Sequence, residues 1–315
     1  MTLTEYASDW IRQRPLKPRT RIHYSRIWKS HIGPELGSIS IGNLRPARVR
    51  AWYATALAEK PTLRRHAYQL LHATCADAVG DELLSRNPCT IKGATSVKNT
   101  RDPVVPTIAE LAIIADTIHP KLKAYVLISA WWGLRSGEVT ELRRKDIHCT
   151  TGDDFEPDMI VVRRGVVHRK GDDGQRCRID TPKSGRTRRV IIPPHIRAAI
   201  GEHLQRFVDA DSEALLFAPA RGGCHVDGRV VRAALRTACQ AADVSGMRLH
   251  DLRHFAGTMT AQVGNLVETM ERLGHSTAAA SLRYQGLVSG RAVEIAESLS
   301  TLAVIGTARA DARSA

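Results

Sequence analysis

The feature that most constrains the fold of this chain is a polar, proline-bearing segment about a third of the way along it. Residues 93–106 include Arg101, Asp102, Pro103 and Pro106, a composition that predicts an extended linker. The chain has 315 residues, more than one compact core usually holds. We therefore predict two domains joined by a linker, with these boundaries: a first domain 1–92, the linker 93–106, a second domain 107–304 and a flexible tail 305–315.

The first domain is predicted to be entirely helical, because its apolar residues recur at helical spacing. We expect Thr4 to cap its first helix. Pro46 and Pro61 are expected to open two later helices, since proline is favoured in the first turn. A last short helix is expected to end at Asn87-Pro88.

The second domain is predicted to mix helices with a few strands. Thr107 to Glu110 has the pattern of a capping box and predicts a helix start. A second apolar helix is expected from Leu122 to Trp131, and helices again from Pro194 almost to the end. Three short strands are expected between them: Met159–Val167, Arg176–Thr181 and Thr187–Ile192. The predicted fold class is mainly α with a small antiparallel β-sheet, an all-helical domain preceding a mixed α+β domain.

The charge of the chain indicates a polyanionic partner. Lys and Arg number 46 against 32 Asp and Glu, which gives a formal net charge of +14. Residues 1–100 alone carry 16 of these cations against 7 acids. Such an excess favours nucleic acid over a membrane surface, although a merely basic soluble protein stays possible. No apolar stretch is long enough to span a bilayer, and the N-terminus is not typical of a signal peptide.

The six cysteines are scattered and predict neither a metal site nor a disulfide framework. No pair has C-x-x-C spacing, and no Cys and His cluster has zinc spacing. Reduced thiols are expected, and the adjacent Cys224 and His225 are expected to be structural. The chain has no Walker motif, so no nucleotide cofactor is predicted, and none of another kind.

The stretch Gly133 to Val139 contains a candidate phosphate-binding arginine. Ser136 is expected to cap the helix that follows, which places Arg135 just before a helix N-terminus. Backbone N–H groups and the helix dipole favour an anion there, and a guanidinium can grip two phosphate oxygens. The alternative is a surface arginine paired with Glu138 or Glu141, and the sequence leaves both open.

Two further stretches contribute candidate cations. Lys183 falls in a predicted hairpin turn, from which a lysine can reach into a groove or simply stay solvated. His250 and Arg253 are three residues apart, so on a helix they would share a face. A basic helix start without a chemical role would give the same pattern.

The last candidates lie near the end of the second domain. Gly274 is expected to end one helix, with His275 directly after it. A helix from Ala278 to Gln285 is expected next, and Tyr284 lies late on it. A tyrosine in such a place is usually part of the core or its rim, so it gains interest only from the cations that accompany it.

These motifs resemble the tyrosine recombinase (phage integrase) family, most of all integrases of actinobacterial phages. The matching stretches are Gly133–Leu142, Lys183–Pro193, His250–His254 and Leu273–Tyr284. The first 90 residues resemble the helical core-binding domain of that family. The chain departs from it at Gly286, where many relatives have histidine. The arm-binding domain of larger phage integrases is expected to be absent, since the core-binding pattern begins almost at Met1.

The resemblance implies a site-specific recombinase that cuts and rejoins DNA. It implies that Tyr284 attacks the phosphorus to form a 3′-phosphotyrosine, with His250 as its base. Arg135, Arg253 and His275 would then stabilise the transition state, and Lys183 would protonate the leaving 5′-oxygen. It also implies a homotetramer on two duplexes, a possible excision factor, and action in the cytoplasm of a bacterial host, at the nucleoid. No metal is implied, because the arginines supply the positive charge.

Several functional details stay open in the sequence. A helix predicted within Arg291–Val304 would dock either on its own domain or on a neighbouring protomer. A host chromosome-dimer resolvase of the same family and an inactive DNA-binding regulator are the competing functions. Seven basic residues of the first domain are candidates for contacts with the DNA backbone: Arg19, Arg21, Lys29, Arg45, Arg48, Arg64 and Arg65.

Overall fold

The computed structural model describes residues 1–96, 101–149, 157–168, 177–182, 185–220 and 222–285. The chain divides into two compact units, Met1–Asp102 and Pro103–Ala315. We call them the N-terminal unit and the C-terminal unit. Each has a hydrophobic core of its own.

The described part of the N-terminal unit is built from helices. They are α1 (Leu3–Gln13), α2 (Pro18–Ile27), a π-helical turn (Trp28–Ile32), α3 (Gly33–Leu36), a 3-10 turn (Ile41–Asn43), α4 (Pro46–Thr55) and α5 (Pro61–Gly80). Proline stands at the start of α4 and α5, as predicted. Hydrogen bonds from Tyr6 to Asp81 (2.6 Å) and from Trp10 to Asp77 (2.7 Å) tie α1 to the end of α5.

Two local predictions for this unit are wrong. The cap of α1 is Thr2, whose hydroxyl accepts from the backbone of Glu5 in a capping box, and Thr4 lies inside the helix. Residues 81–96 form turns, so no short helix ends at Asn87-Pro88. The Asn87 side chain instead accepts from the backbone N–H of Cys89 at 2.9 Å, a local bond that favours a turn over a helix.

The C-terminal unit contributes eight α-helices and a 3-10 turn (Arg144–Asp146) within the described residues. The α-helices are α6 (Ile108–Thr117), α7 (Pro120–Trp132), α8 (Ser136–Glu141), α9 (Pro194–Phe207), α10 (Gly228–Ala241), α11 (Asp251–Val263), α12 (Leu266–Leu273) and α13 (Ala278–Gln285). The capping box at Thr107 is confirmed. Helix α11 packs along α7, and α13 contacts both α11 and α12. This arrangement brings the ends of several helices together around α11.

Five short strands form two antiparallel sheets in the described residues. They are β1 (Ile147–His148), β2 (Met159–Val162), β3 (Gly165–His168), β4 (Cys177–Asp180) and β5 (Arg188–Ile191), in the orders β1-β2-β5 and β3-β4. The single strand predicted from Met159 to Val167 is therefore wrong. Two strands lie in that range, and Arg163 and Arg164 separate them. The guanidinium groups of both arginines contact Asp146, that of Arg164 at 2.6 Å.

Strand β3 packs tightly on the start of α8. A β-carbon on Gly137 would lie 2.5 Å from the carbonyl oxygen of Val166, so only glycine allows the two backbones to approach this closely. The hairpin β3–β4 is thereby held against the helix that follows Arg135.

The cysteine prediction is wrong for one pair. Cys177 in β4 and Cys224 in the loop before α10 form a disulfide, with His225 beside it. The two positions are 47 residues apart, and no local pattern announces their contact.

Some predictions fall outside the described residues. They concern Lys183, the helix within Arg291–Val304 and the tail 305–315. In the part of the chain that is described, no helix has the length and hydropathy needed to cross a membrane.

Candidate active site

Arg253 lies in the first turn of α11 and is almost fully buried, with 3% of its surface exposed. Its guanidinium donates to the carbonyl oxygens of Gly133 and, at 2.6 Å, of Leu273. Burial and, next, the positive charge of Arg135 lower the pKa of this guanidinium to about 9. Because that pKa is above neutral pH, Arg253 keeps its charge, which makes the position attractive to an anion.

Arg135 is the residue before α8 and is the cap of that helix, where Ser136 was expected. Its guanidinium donates to Glu138 Oε1 at 3.0 Å and to the carbonyl oxygen of Gly274 at 3.3 Å. The pairing with Glu138 that the sequence left open is therefore present. The side chain is still 26% exposed, so part of its fork faces solvent at the N-terminus of a helix.

Glu138 is a buried carboxylate that connects two cations. Arg188, at the start of β5, donates to its two oxygens at 2.7 and 3.3 Å while Arg135 bonds it from the other side. Burial by itself would raise the pKa of this carboxyl, but the hydrogen bonds and charges of Arg188 and Arg135 outweigh it and hold the pKa below 4.5. Glu138 is thus ionised and fixes the position of Arg135.

His275 follows the left-handed residue Gly274, which ends α12 as predicted. Its Nδ1 shares a hydrogen bond of 2.6 Å with Ser281 Oγ, which sets the orientation of the imidazole. The ring stacks nearly parallel on that of Tyr284, at 9° and with centroids 6.1 Å apart. His275 and Tyr284 therefore lie side by side.

Tyr284 is buried, with 2% of its surface exposed. Its ring lies directly over Gly257 of α11, where an added β-carbon would come within 2.6 Å of ring atoms. The centroid of the His254 ring is 5.7 Å away. The phenol is also close enough to Arg253 to affect the pKa of that guanidinium. Because Gly257 has no side chain, the ring of Tyr284 fits against α11 and lies close to the buried Arg253.

His250 caps α11 and is exposed, unlike Arg253 in the same turn. Its ring meets the edge of His254, with centroids 5.1 Å apart. A cavity of about 740 Å³ opens beside it, lined by α10 and the loop before α11. Three arginines belong to this lining: Arg232, Arg236 and Arg248. Such a basic wall favours an anionic ligand.

The structure brings together five of the six predicted site residues and describes all but Lys183. In the sequence, strand β4 ends before Lys183 and strand β5 begins after it. Sequence reasoning missed three contributors: Arg188, Gly257 and the hydroxyl of Ser281. Only Arg188 had a visible signal, because it belongs to the basic run that follows Lys183.

The seven basic candidates of the N-terminal unit divide by their surroundings. Arg21 donates to the carbonyl oxygens at the end of α1, and the Arg64 guanidinium lies 4.8 Å from the Tyr53 ring centroid. Arg65 bonds His66 at 3.2 Å. These three side chains support the unit itself. The remaining four are exposed: Arg19, Lys29, Arg45 and Arg48. Of these, Arg45 also donates to the carbonyl oxygen of Gly42 at 2.7 Å.

Two family models match this chain. Residues 104–287 match the model described as the phage integrase family, and residues 2–56 match the phage integrase N-terminal SAM-like domain. The first match alone covers more than half of the sequence. The chain belongs to the phage integrase family. It is a tyrosine recombinase, an enzyme that catalyses DNA strand exchange.

The curated relatives that match nearly the whole chain at 36–40% identity are integrases from mycobacteria and their phages. The prophage phiRv2 integrase of Mycobacterium tuberculosis is 40% identical over 95% of this chain and 78% of its own length. The integrase of Mycobacterium phage D29 is 36% identical over 97% of this chain and 80% of its own length. Phage-type integrase function, predicted from the motifs, is therefore confirmed.

Solved integrase structures share the fold. The Tn1549 transposon integrase, in complex with a circular intermediate DNA, matches with a TM-score of 0.74 at 20% identity, covering 90% of this chain and 95% of that one. A lambda integrase tetramer bound to a Holliday junction matches with a TM-score of 0.64 at 15% identity, over 90% and 77%. At such low identity these likenesses bear on the fold alone, and they confirm the predicted fold class.

Proposed function

We propose that Tyr284 is the nucleophile of this integrase. Its phenolic oxygen would attack the scissile phosphorus and form a 3′-phosphotyrosine, while the 5′-oxygen leaves. The observation that carries this proposal is the stacking of Tyr284 on His275 within electrostatic reach of the buried Arg253. A phenol beside two groups that bind an anion is positioned to meet a phosphate.

Arg135, Arg253 and His275 would stabilise the additional negative charge that develops on the phosphorane oxygens. All three are held by neighbours before substrate binds, so little reorganisation is needed during the reaction. Glu138 and Arg188 position Arg135 and do not touch the phosphate themselves. The loss of one preorganised donor of this kind typically costs about 3 kcal/mol, or ~100-fold in rate.

Two residues would move protons. His250 is exposed at the entrance of the site, where it can accept the phenolic proton from Tyr284 once DNA is bound. Lys183 would donate a proton to the 5′-oxygen, a role that rests on the sequence motif and on its place between β4 and β5. Neither step calls for a metal ion, since arginines provide the positive charge.

The proposed substrate is double-stranded DNA that carries core-type attachment sites. The exposed cations Arg19, Lys29, Arg45 and Arg48 of the N-terminal unit would bind phosphates and make affinity depend steeply on salt. We propose a homotetramer that joins two duplexes, in line with the lambda integrase tetramer on a Holliday junction. An excision factor that sets the direction of recombination would be a further partner.

A nicked suicide substrate tests the chemistry. The wild-type protein should become covalently attached to it, and Tyr284→Phe should form no adduct while binding the same DNA with unchanged affinity. Tyr53→Phe, which removes a phenolic oxygen from the N-terminal unit, is the matched control and should react normally. An adduct on Tyr284→Phe would show that another residue is the nucleophile. A wild-type protein that binds the DNA without reacting would instead favour the inactive regulator.

A further inference from the structure

Two cysteines and a histidine that have no part in the proposed phosphate chemistry come together in the C-terminal unit. Cys177 comes from β4, whereas Cys224 and His225 come from the loop before α10, and one ligand atom of each lies within 4.8 Å of the others. The α-carbons of the two cysteines are 6.3 Å apart. Cys224 is exposed and Cys177 partly so, which leaves a path from solvent to the sulfurs.

A carboxylate holds the imidazole of His225 in place. Glu141, on α8, lies 2.5 Å from His225 Nε2 through its Oε2, and both side chains are buried. Two arginines, Arg143 and Arg164, also form ion pairs with Glu141 at 2.9 and 3.3 Å and help to hold it in place. A histidine that gives one ring nitrogen to a carboxylate and the other to a metal is the usual arrangement in zinc sites.

We propose that Cys177, Cys224 and His225 form a binding site for Zn²⁺ when the two cysteines are reduced. Two thiols of the cellular pool reduce the disulfide: they become one disulfide and transfer two electrons and two protons to Cys177 and Cys224. Zn²⁺ then displaces both thiol protons and is bound by two thiolates and one imidazole. Soft thiolates and imidazole are the ligands that zinc prefers, and water fills the fourth position.

The spacing and the compartment favour the metal over a permanent disulfide. Zinc lies about 2.3 Å from sulfur and ~2.0 Å from nitrogen, so its ligand atoms are roughly 3.5 Å apart. The ligand atoms of the cluster lie within 4.8 Å of one another, which is close to that spacing. Disulfides are rare where cellular thiol buffers act, as they do in the compartments that hold DNA.

The metal would connect parts of the chain that surround the reaction. Most of the β4 side chains lie partly or largely exposed, so apolar packing fixes this strand weakly. Zinc would join it to the loop before α10 and, through Glu141, to α8, which begins after Arg135. The site is distinct from the residues proposed above for phosphate chemistry, and the inference does not depend on their roles.

Metal binding by the reduced protein is the test. We would reduce the full chain with a phosphine, remove the excess, and titrate it with Zn²⁺ and with Co²⁺, measuring bound zinc by mass spectrometry and cobalt–thiolate bands by absorption. One zinc per chain and a thiolate-to-cobalt band are expected. Cys177→Ser, Cys224→Ser and His225→Ala should each weaken binding at least ~10-fold, while the buried Cys239→Ala should bind normally.

Several results would overturn the proposal. They are a reduced wild-type protein that binds no zinc, a Cys239→Ala variant as impaired as Cys177→Ser, and an intact Cys177–Cys224 disulfide in protein alkylated inside the cells. Thermal melts without metal identify a variant that fails to bind only because it is unfolded. If a serine variant is unfolded, Cys224→Ala is tested in its place, and a normal cobalt–thiolate band in that variant would overturn the proposal. The suicide-substrate reaction is measured separately, so failure of the zinc site is distinguishable from failure of the recombinase chemistry.

Discussion

The two units of this integrase handle charge in opposite ways. Among the described residues, and leaving aside aromatic residues and cysteine, the only buried polar side chain of the N-terminal unit is Thr74. In the described part of the C-terminal unit, nine Asp, Glu, His or Arg side chains are buried, among them Glu138, Glu141 and Arg253. Both units are basic and largely helical, so neither composition nor fold class explains the contrast. On the roles proposed above, positive charge would attract DNA in the N-terminal unit and position reacting groups in the C-terminal unit.

Burial decides what each cation can do. An exposed arginine on α4 is surrounded by water and interacts with a phosphate mainly through screened Coulomb attraction. Arg253 has lost its water and holds a fixed direction between two carbonyl groups. A buried charge is expensive unless hydrogen-bonded, and it acts far more strongly on charge that develops nearby. Matched variants in the two units test that contrast.

Arg253→Lys should reduce the rate of covalent complex formation by ~100-fold or more. Lysine keeps the positive charge but cannot bond two carbonyls and a phosphate with one planar fork. The matched change in the N-terminal unit, Arg48→Lys, should leave the rate at saturating DNA unchanged. Single-turnover cleavage of the suicide substrate measures both variants. Equal rates for the two would mean that burial does not separate the two kinds of arginine.

Gly257→Ala should slow the same reaction by roughly tenfold and lower the free energy of unfolding by about 1–3 kcal/mol. The new methyl group would overlap the ring of Tyr284, which must then move from its place beside His275. Gly80→Ala, at the end of α5, is the control because its β-carbon meets nothing within 4 Å. Urea denaturation and single-turnover cleavage distinguish the two, and normal cleavage by Gly257→Ala would argue against the observed position of the tyrosine.

Glu138 should make the free energy of unfolding depend on pH in the acid range. Its pKa is lowered in the folded protein, so its stabilising contribution is complete above about 4.5 and is lost as the pH falls through the folded value. The stability difference between wild type and Glu138→Gln should therefore be constant near neutral pH and shrink in acid. Glu5 of the N-terminal unit also has a lowered pKa but is fully exposed, so Glu5→Gln should show a smaller change. Urea titrations across this range provide the comparison.

Arg48→Ala should have the smallest effect. Losing one phosphate contact should weaken DNA binding several-fold and make the slope of log affinity against log salt shallower by ~1, with cleavage at saturation unchanged. Fluorescence anisotropy at several salt concentrations measures this. If the variant slowed cleavage at saturating DNA, the N-terminal unit would have a part in positioning as well as attraction.

Local signals in the sequence predicted local structure well. Three kinds of signal were recognised correctly because each acts on residues within one turn. They are the capping box at Thr107, the prolines that open α4 and α5, and the glycine that ends α12. The cap of α1 was misplaced by two residues, although Thr2 with Glu5 three residues later has the same capping-box pattern as Thr107 with Glu110.

Contacts between residues far apart in the sequence could not be predicted from such local signals. Arg188 bonds Glu138 across 50 residues, and Cys177 meets Cys224 across 47. These contacts depend on how β3 packs on α8 and where the loop before α10 returns, which are results of the whole core. Tyr284 was selected as a nucleophile from its motif, but its burial over Gly257 depends on the crossing of α11 and α13.

The carbonyl bonds of Arg253 have a consequence for the protein before it meets DNA. Carbonyl oxygens orient the guanidinium without cancelling its charge, so a phosphate bound as proposed above would act as a counter-ion of this residue. Dissolved oxyanions such as phosphate, sulfate or vanadate resemble the phosphodiester in their tetrahedral oxygens and negative charge. They should occupy the same place, raise the melting temperature and compete with DNA, so the choice of buffer will influence both how stable and how active the enzyme looks.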